Sequence, residues 1–357
     1  MNMKNEKMLL VTFSDNADHQ DITFGMYEEL YQKHDVWLMC IKNPRVSLKI
    51  SGHTNLVDCP KRPGICKKTF DIKTLVEVIR WVKKRKFDVI FFETLHIWNL
   101  PIMIFCHKNT RIFQMIHDLI PHEGDRQAKA VAVMNKAVCK LADTIVLCNQ
   151  KYVPKITELY HVPLRKVKCI DMWRRFPEYV APQFTKRVLF FGRINPYKGA
   201  DNLLKIVRAC PEIQFDVVGR VDPQMKNIVS ELGREKNVSL NNDYVTDKDM
   251  ENAFTNADWI ILPYNSATQS GVVIDAYRYS RPVIAFDVGA ISEQIEDGTS
   301  GFLISAGNIE EFVEKLISAI QMDVGEYENM CKKSYQFGLR KYAAYGAVER
   351  FVKLIEG

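Results

Sequence analysis

The sequence predicts an α/β protein made of two doubly wound domains, each with a parallel sheet. Its 357 residues are enough for two domains that each bury a core. Strand-like and helix-like segments alternate along the chain, which favours parallel sheets joined by right-handed crossovers. The alternation restarts after Met172–Lys186, where two prolines interrupt the periodicity.

The first half contains five short runs rich in β-branched and aromatic residues, which predict strands. Helical periodicity between them predicts helices at Asp71–Lys84 and Arg126–Leu141. The apolar stretch Leu95–Cys106 is shorter than the roughly 20 residues that cross a membrane, so we expect a buried helix there. The predicted strands are Met8–Phe13, Val36–Ile41, Val89–Phe92, Arg111–Ile116 and Thr144–Cys148.

The second half repeats this pattern with six strands, and the chain after Leu316 is expected to be purely helical. We place one domain at 1–175 and the other at 176–335, and expect the last segment, 336–357, to return to the first domain. Predicted helices include Ala200–Ala209, Pro223–Leu232 and Gln269–Tyr279. The predicted strands are Arg187–Phe191, Phe215–Val218, Val238–Leu240, Trp259–Leu262, Pro282–Phe286 and Gly301–Ile304.

Charge and cysteine usage limit the class of protein. The chain has 49 basic and 43 acidic residues, a net charge of +6. This excess suits an anionic small substrate or a membrane surface and does not support nucleic-acid binding. The nine cysteines are scattered singly without a C-x-x-C pair, which predicts reduced thiols and a cytoplasmic protein.

The first chemical motif ends the strand Arg187–Phe191. Gly192 and Arg193 follow the strand, and Lys198-Gly199 opens the next helix. Ligands of open α/β sheets bind beyond the carboxyl ends of strands, and a helix N-terminus there attracts phosphate. Arg193 and Lys198 are candidates to contact a diphosphate. The alternative is two solvated cations beside a tight turn.

A second strand-loop-helix segment, Asn256–Tyr277, forms another phosphate-type cradle. Asp275 on the second turn of its helix could accept hydrogen bonds from ribose hydroxyls, or be an exposed helix carboxylate. A third segment, Arg281–Leu303, again combines a strand, a glycine turn and a short helix.

In the first half, His117 and Asp118 follow a predicted strand, and His122 lies close behind. His117 could hydrogen-bond a sugar or acceptor, or assist proton transfer near neutral pH. Loop capping is one alternative, and a metal site that adds Glu123 to these three residues is another.

The three segments of the second half, in this order, resemble the donor domain of glycosyltransferase family 4, a group of retaining enzymes with the GT-B fold. The family run G-R-x(4)-K-G matches Gly192, Arg193, Lys198 and Gly199. The later family block matches Ala257, Asp258, Pro263, Ala276, Pro282–Ala285, Gly289 and Glu293.

The resemblance implies two Rossmann-like domains that face a cleft, with a nucleoside-diphosphate sugar as donor and neither a cofactor nor a metal. Arg193, Lys198 and His117 would be catalytic, and Asp118 and His122 would contact the sugar or acceptor. The donor-binding residues would be Gly192, Gly199, Gly219, Arg220, Thr268, Gln269, Ser270, Gly271 and Asp275.

One position departs from the family pattern E-x(7)-E. Asp275 falls on its second acid, which usually contacts the ribose, but Ala267 replaces the first, which contacts the transferred sugar. We expect Thr268, Gln269 or Ser270 to offset this loss, each with a polar side chain.

Three further patterns are less specific. Asp247-Lys248-Asp249 is a D-x-D, for which helix capping is the better interpretation. The run Lys83–Lys86 is either a solvated helix end or a contact for anionic lipid. The segment Ser14–Gln20 is expected to be the loop after the first strand, where the family often has a glycine-rich acceptor loop, but it has no glycine.

The sequence therefore predicts a glycosyltransferase that transfers a sugar with retention to a glycan or lipid-linked oligosaccharide of a bacterial surface polysaccharide. Peripheral contact with the inner face of the membrane is left open, and no nucleic-acid partner is expected. The alternatives are a nucleotide-sugar epimerase of the same fold and a non-catalytic nucleotide-sugar or glycan-binding protein.

Overall fold

The computed structural model describes residues 6–60, 66–120, 128–243 and 246–356. They form two compact units, each built on one parallel sheet. The first unit contains the described residues up to Arg175 together with those from Tyr342 onward, and the second contains Phe176–Lys341. The predicted fold class, two Rossmann-like α/β domains, is confirmed.

The first unit has a seven-stranded sheet in the order β3-β2-β1-β4-β5-β6-β7. The strand order reverses between β1 and β4, and such a switch point is where doubly wound sheets bind ligands. The strands are β1 Lys7–Thr12, β2 Asp35–Ile41, β3 Thr54–Val57, β4 Val89–Phe92, β5 Arg111–Ile116, β6 Thr144–Leu147 and β7 Val167–Cys169. The helices are α1 Ala17–Tyr31, α2 Ile72–Arg85, α3 Asn99–Cys106, α4 Ala128–Leu141, α5 Val153–Tyr160 and α12 Ala344–Glu356.

The second unit has a six-stranded sheet in the order β10-β9-β8-β11-β12-β13, with its switch point between β8 and β11. The strands are β8 Arg187–Phe191, β9 Gln214–Val218, β10 Val238–Asn241, β11 Trp259–Leu262, β12 Val283–Phe286 and β13 Gly301–Ile304. The helices are α6 Ala200–Ala209, α7 Lys226–Leu232, α8 Asp247–Asn256, α9 Gly271–Arg278, α10 Ile309–Ile320 and α11 Val324–Tyr342.

The last helix, α12, belongs to the unit built by the first half of the chain. It packs on α1. The rings of Phe91 and Phe351 lie 4.8 Å apart between centroids, and Arg111 donates to the carbonyl of Ile355 at 2.6 Å. The chain passes between the units at Lys341–Tyr342, a few residues beyond the expected position.

Most predicted elements are present, and the misses have local causes. The two strands that sequence analysis missed, β3 and β7, are short strands at the sheet edges, where little apolar sequence is needed. The expected loop after β1 is short because α1 begins at Ala17, where Asn16 accepts a hydrogen bond from the Asp18 amide. Thr246 and Asp249 form a capping box at α8, which confirms the interpretation of the D-x-D.

The expectation of a buried helix at Leu95–Cys106 is wrong in part. The helix α3 starts only at Asn99, and both Ile104 and Phe105 on it are exposed. Seven of the nine cysteines are buried, as predicted, whereas Cys66 is exposed and Cys169 is partly exposed. Among the described residues, no helix combines the length and apolar character needed to cross a membrane.

Candidate functional site

Two glycines bring the loops after β8 and β9 into direct backbone contact. Gly192 has a φ of +102° and Gly219 a φ of +148°. A Cβ atom on Gly219 would overlap the carbonyl oxygen of Gly192. Beyond the glycines the loops remain paired, because the amide of Ile194 donates to the carbonyl of Arg220 at 2.8 Å. The backbone here therefore requires glycine at both positions.

Lys198 is buried beside this loop, with 8% of its surface exposed. Its Nζ donates to the carbonyl of Phe191 at 3.3 Å and lies 5.1 Å from the ring centroid of Tyr264. The alternative of a solvated surface cation is thus wrong for Lys198, whereas Arg193 is exposed. An ammonium group held at the carboxyl edge of a switch-point strand is suited to an anionic ligand.

The loops after β8 and β11, which flank the switch point, are bonded to each other. Gly199 has a φ of +68° and precedes α6, and a Cβ atom on it would overlap the carbonyl oxygen of Pro263. Asn202 donates to the same carbonyl at 3.0 Å and to Oδ1 of Asn265 at 2.8 Å. These contacts fix the position of Lys198 relative to the second loop.

Gln294, which sequence analysis missed, holds the end of the second loop. The amide of Ser270 donates to Oε1 of Gln294 at 2.7 Å, and Nε2 of Gln294 donates to the carbonyl of Ser270 at 3.0 Å. Ser270 is the N-cap residue of α9, and Gly271 starts the helix. This clamp therefore sets the direction of a helix N-terminus, whose first amides and positive dipole end favour an anion.

The other predicted loop residues differ in their exposure. Ala267, Thr268 and Ser270 are buried, whereas Gln269 is partly exposed and Arg220 is exposed. Thus the chain has a small apolar side chain where the family pattern has its first acid.

Asp275 is buried on the second turn of α9, with 5% of its surface exposed. Its Oδ1 accepts a hydrogen bond from Nη1 of Arg278 at 3.0 Å. The alternative of an exposed helix carboxylate is therefore wrong. Arg278 therefore lies where it neutralises the buried charge of Asp275.

In the first unit, three side chains converge at the carboxyl edge of the sheet. Glu93 follows β4, His117 follows β5, and His19 lies on the first turn of α1. Oε1 of Glu93 lies 2.7 Å from Nε2 of His117 and 3.0 Å from Nδ1 of His19. The two imidazole rings lie 4.8 Å apart between centroids. One carboxylate oxygen thus orients two histidines.

The electrostatics of this cluster favour the charged forms. Burial opposes ionisation of Glu93, but His19 and His117 outweigh it and hold the pKa of Glu93 well below its usual value. Burial likewise opposes protonation of His117, but Cys148 and Glu93 outweigh it and raise the pKa of His117 well above its usual value. Nε2 of His117 donates to Glu93, and Nδ1 of the same ring lies 3.6 Å from Sγ of Cys148.

Asp118 is partly buried, and its carbonyl accepts a hydrogen bond from Asn135 at 3.1 Å.

His122 and Glu123, two of the four residues of the predicted metal site, lie outside the described residues. Within the described ranges, the groups that could hold a metal ion are His19, Glu93 and His117, whose ligand atoms lie within 4.8 Å of one another. In the structure these groups satisfy each other by hydrogen bonds. Sequence analysis did not select Glu93, but its position could have indicated it, because this carboxylate directly follows the buried strand β4.

The second unit's glycine loops, buried lysine and helix N-terminus lie within one recognised domain. Residues 185–322 match the family model for glycosyl transferases group 1. This group 1 domain contains each of the donor-binding residues predicted from the sequence. Glu93, His117 and His19 lie outside it.

Three individual proteins are also similar to this chain. An uncharacterized 41.2 kDa protein in the cps region of Klebsiella pneumoniae is 21% identical over 299 residues, 78% of this chain and 81% of that protein. A GDP-mannose:glycolipid 4-beta-D-mannosyltransferase of Xanthomonas campestris pv. campestris is 30% identical over 119 residues, 31% of this chain. That alignment spans only 34% of the mannosyltransferase.

The crystal structure of Anabaena Alr3699/HepE in complex with UDP-glucose has a TM-score of 0.75 at 14% identity. It covers 99% of this chain and 100% of that one. Because only 14% of the residues are identical, this similarity shows a shared fold. The fold of this protein is GT-B.

Proposed function

We propose that this protein is a retaining glycosyltransferase that uses a nucleoside-diphosphate sugar as its donor. The observation that carries the proposal is the buried Lys198, fixed beside the Gly192–Gly199 turn at the switch point of the group 1 domain. The UDP-glucose complex of the Anabaena protein and the GDP-mannose named for the Xanthomonas protein support this class of donor.

In this proposal, Lys198 and Arg193 bind the donor diphosphate together with the N-terminal amides of α9. Negative charge grows on the leaving phosphate as the glycosidic bond breaks, and groups fixed in advance stabilise it without reorganisation. The nucleoside diphosphate can then leave without the help of a metal ion. Asp275 accepts hydrogen bonds from the ribose hydroxyls.

His117 contacts the transferred sugar or the acceptor, and Glu93 keeps its ring in one orientation. Ala267 offers no carboxylate to the sugar, so Thr268, Gln269 and Ser270 are the polar groups assigned to that role. Asp118 is assigned to the sugar or the acceptor.

The acceptor is proposed to be a glycan or lipid-linked oligosaccharide of a bacterial surface polysaccharide. Support comes from the relative in the Klebsiella cps region and from the glycolipid named for the Xanthomonas relative. A lipid-linked acceptor would bring the protein to the inner face of the cell membrane.

The test is a thermal-shift screen of nucleoside-diphosphate sugars, followed by a donor-hydrolysis assay on the best ligand. A stabilising donor that is hydrolysed to nucleoside diphosphate is expected. If no nucleotide sugar raises the melting temperature, the proposal fails.

Ala267 favours one alternative, a protein that binds a nucleotide sugar without turnover. Binding without hydrolysis or transfer by the wild type, also with extracts of candidate acceptors, would favour this alternative.

A further inference from the structure

Three adjacent helices of the first unit, α2, α3 and α4, present a surface that the proposed reaction does not use. The helix α3 packs between α2 and α4. Exposed charged residues lie on α2 and α4, and exposed apolar residues lie on α3 between them. We call this surface the cationic face.

The charged residues are arranged in one stripe on each outer helix. On α4, Lys129, Lys136 and Lys140 lie at helical spacing on the solvent side, in line with Val133. The corresponding stripe on α2 is Lys73, Glu77, Arg80 and Lys84, with Lys83 beside it.

The exposed charges of the cationic face are seven basic residues and one acidic residue, Glu77. The net charge of these eight residues is +6, which equals the net charge of the whole chain. The remainder of the protein therefore has no net charge. Helix-end stabilisation does not explain the pattern on α2, because Lys73 lies in the first turn, where the helix dipole disfavours cations.

Large apolar side chains are exposed among these cations. Ile104 and Phe105 on α3 are 59% and 56% exposed, and Val133 on α4 is 68% exposed. The Nζ of Lys83 lies 5.8 Å from the ring centroid of Phe105. Cations that surround protruding apolar groups match the chemistry of an anionic bilayer, where headgroups attract the charge and the acyl boundary accepts the side chains.

We propose that the cationic face of α2, α3 and α4 docks the protein on a membrane that contains anionic phospholipid. This inference locates the membrane contact that a lipid-linked acceptor requires, and to that extent it rests on the proposed function. Lipid binding itself requires no sugar transfer. An experiment can therefore disprove membrane docking without disproving the proposed glycosyltransferase activity, and the reverse also holds.

The test is co-sedimentation of the full chain with vesicles, without nucleotide sugar. One vesicle is phosphatidylcholine alone, and the other contains about one third phosphatidylglycerol. The wild type is expected to bind the anionic vesicle at least about tenfold more tightly, with the difference reduced by salt.

Two variants localise the binding. The triple substitution Lys129→Gln, Lys136→Gln, Lys140→Gln is expected to weaken binding to anionic vesicles about tenfold or more. The matched control, Lys205→Gln, Lys332→Gln, Lys333→Gln, removes the same charge from exposed positions of the second unit and is expected to change binding less than about twofold. Phe105→Gln is expected to weaken the binding that remains at high salt, and Val324→Gln is its control.

Equal binding to both vesicles, or equal losses for the two triple variants, overturns the proposal. So does a lipid-free dimer that Phe105→Gln dissociates in sedimentation velocity, because the face would then be a contact between copies. Circular dichroism of each variant verifies that the loss of binding is not a loss of folding.

Discussion

Oε1 of Glu93, a fully buried carboxylate, lies 2.7 Å from Nε2 of His117. The two residues come from neighbouring strands, and His19 approaches the same oxygen from α1. Buried charges of this kind are retained only when they are paired, so the pair links the folding of the first unit to pH.

Glu93→Gln is expected to destabilise the first unit by about 3 kcal/mol at pH 6, because it leaves the cationic form of His117 without its partner. The depressed pKa of Glu93 gives stability that is present above its unfolded value of about 4.3 and is lost as pH falls below it. The raised pKa of His117 gives stability that is complete below about 6.5 and is lost as pH rises through its folded value.

Urea unfolding between about pH 3.5 and pH 9 measures this difference. The difference in the free energy of unfolding between wild type and Glu93→Gln should become smaller at both ends of this pH range. A gap that does not change with pH would mean that Glu93 acts by packing alone.

Lys198→Ala is expected to lower kcat for donor hydrolysis by about 10²-fold or more, because removal of one preorganised electrostatic group has effects of this size. Lys205→Ala, an exposed lysine on the following helix, is the control and should retain full activity. Steady-state kinetics measure both variants. If Lys198→Ala retained the kcat of wild type, Lys198 would have no part in phosphate departure.

Gly199→Ala and Gly298→Ala are a matched pair, since the two glycines have φ values of +68° and +71°. A Cβ atom on Gly199 would overlap the Pro263 carbonyl, whereas nothing lies within 4 Å of one on Gly298. Gly298→Ala should cost about 1 kcal/mol of backbone strain, and Gly199→Ala at least about 2 kcal/mol more. Thermal unfolding compares the two, and equal effects would contradict the close approach of the loops.

Gln294→Ala is expected to destabilise the second unit by about 2 kcal/mol, because the amide and carbonyl of Ser270 lose their partners. It should also raise the KM for the donor, since the N-terminus of α9 is no longer held. Gln269→Ala, which changes a partly exposed residue of the same loop, should leave stability within about 0.5 kcal/mol of wild type. A normal KM for Gln294→Ala would argue against the clamp.

The sequence by itself determined the class of fold and the order of the glycine-containing motifs in the second unit. Apolar strands such as Val89–Phe92 and Trp259–Leu262 were predicted with their observed bounds, because local periodicity records which side chains are buried. Gly192 and Gly199 could also be selected from the sequence, because the backbone conformation that requires glycine is a local property.

Only the tertiary structure decided which residues meet. Glu93, His117 and His19 lie 24 and 74 residues apart in the sequence and are joined by sheet order. The burial of Lys198 and Asp275 and the exposure of Phe105 likewise depend on neighbouring elements. Residue type and spacing carry no record of such distant contacts, so a lysine predicted for a diphosphate could also have been a solvated cation.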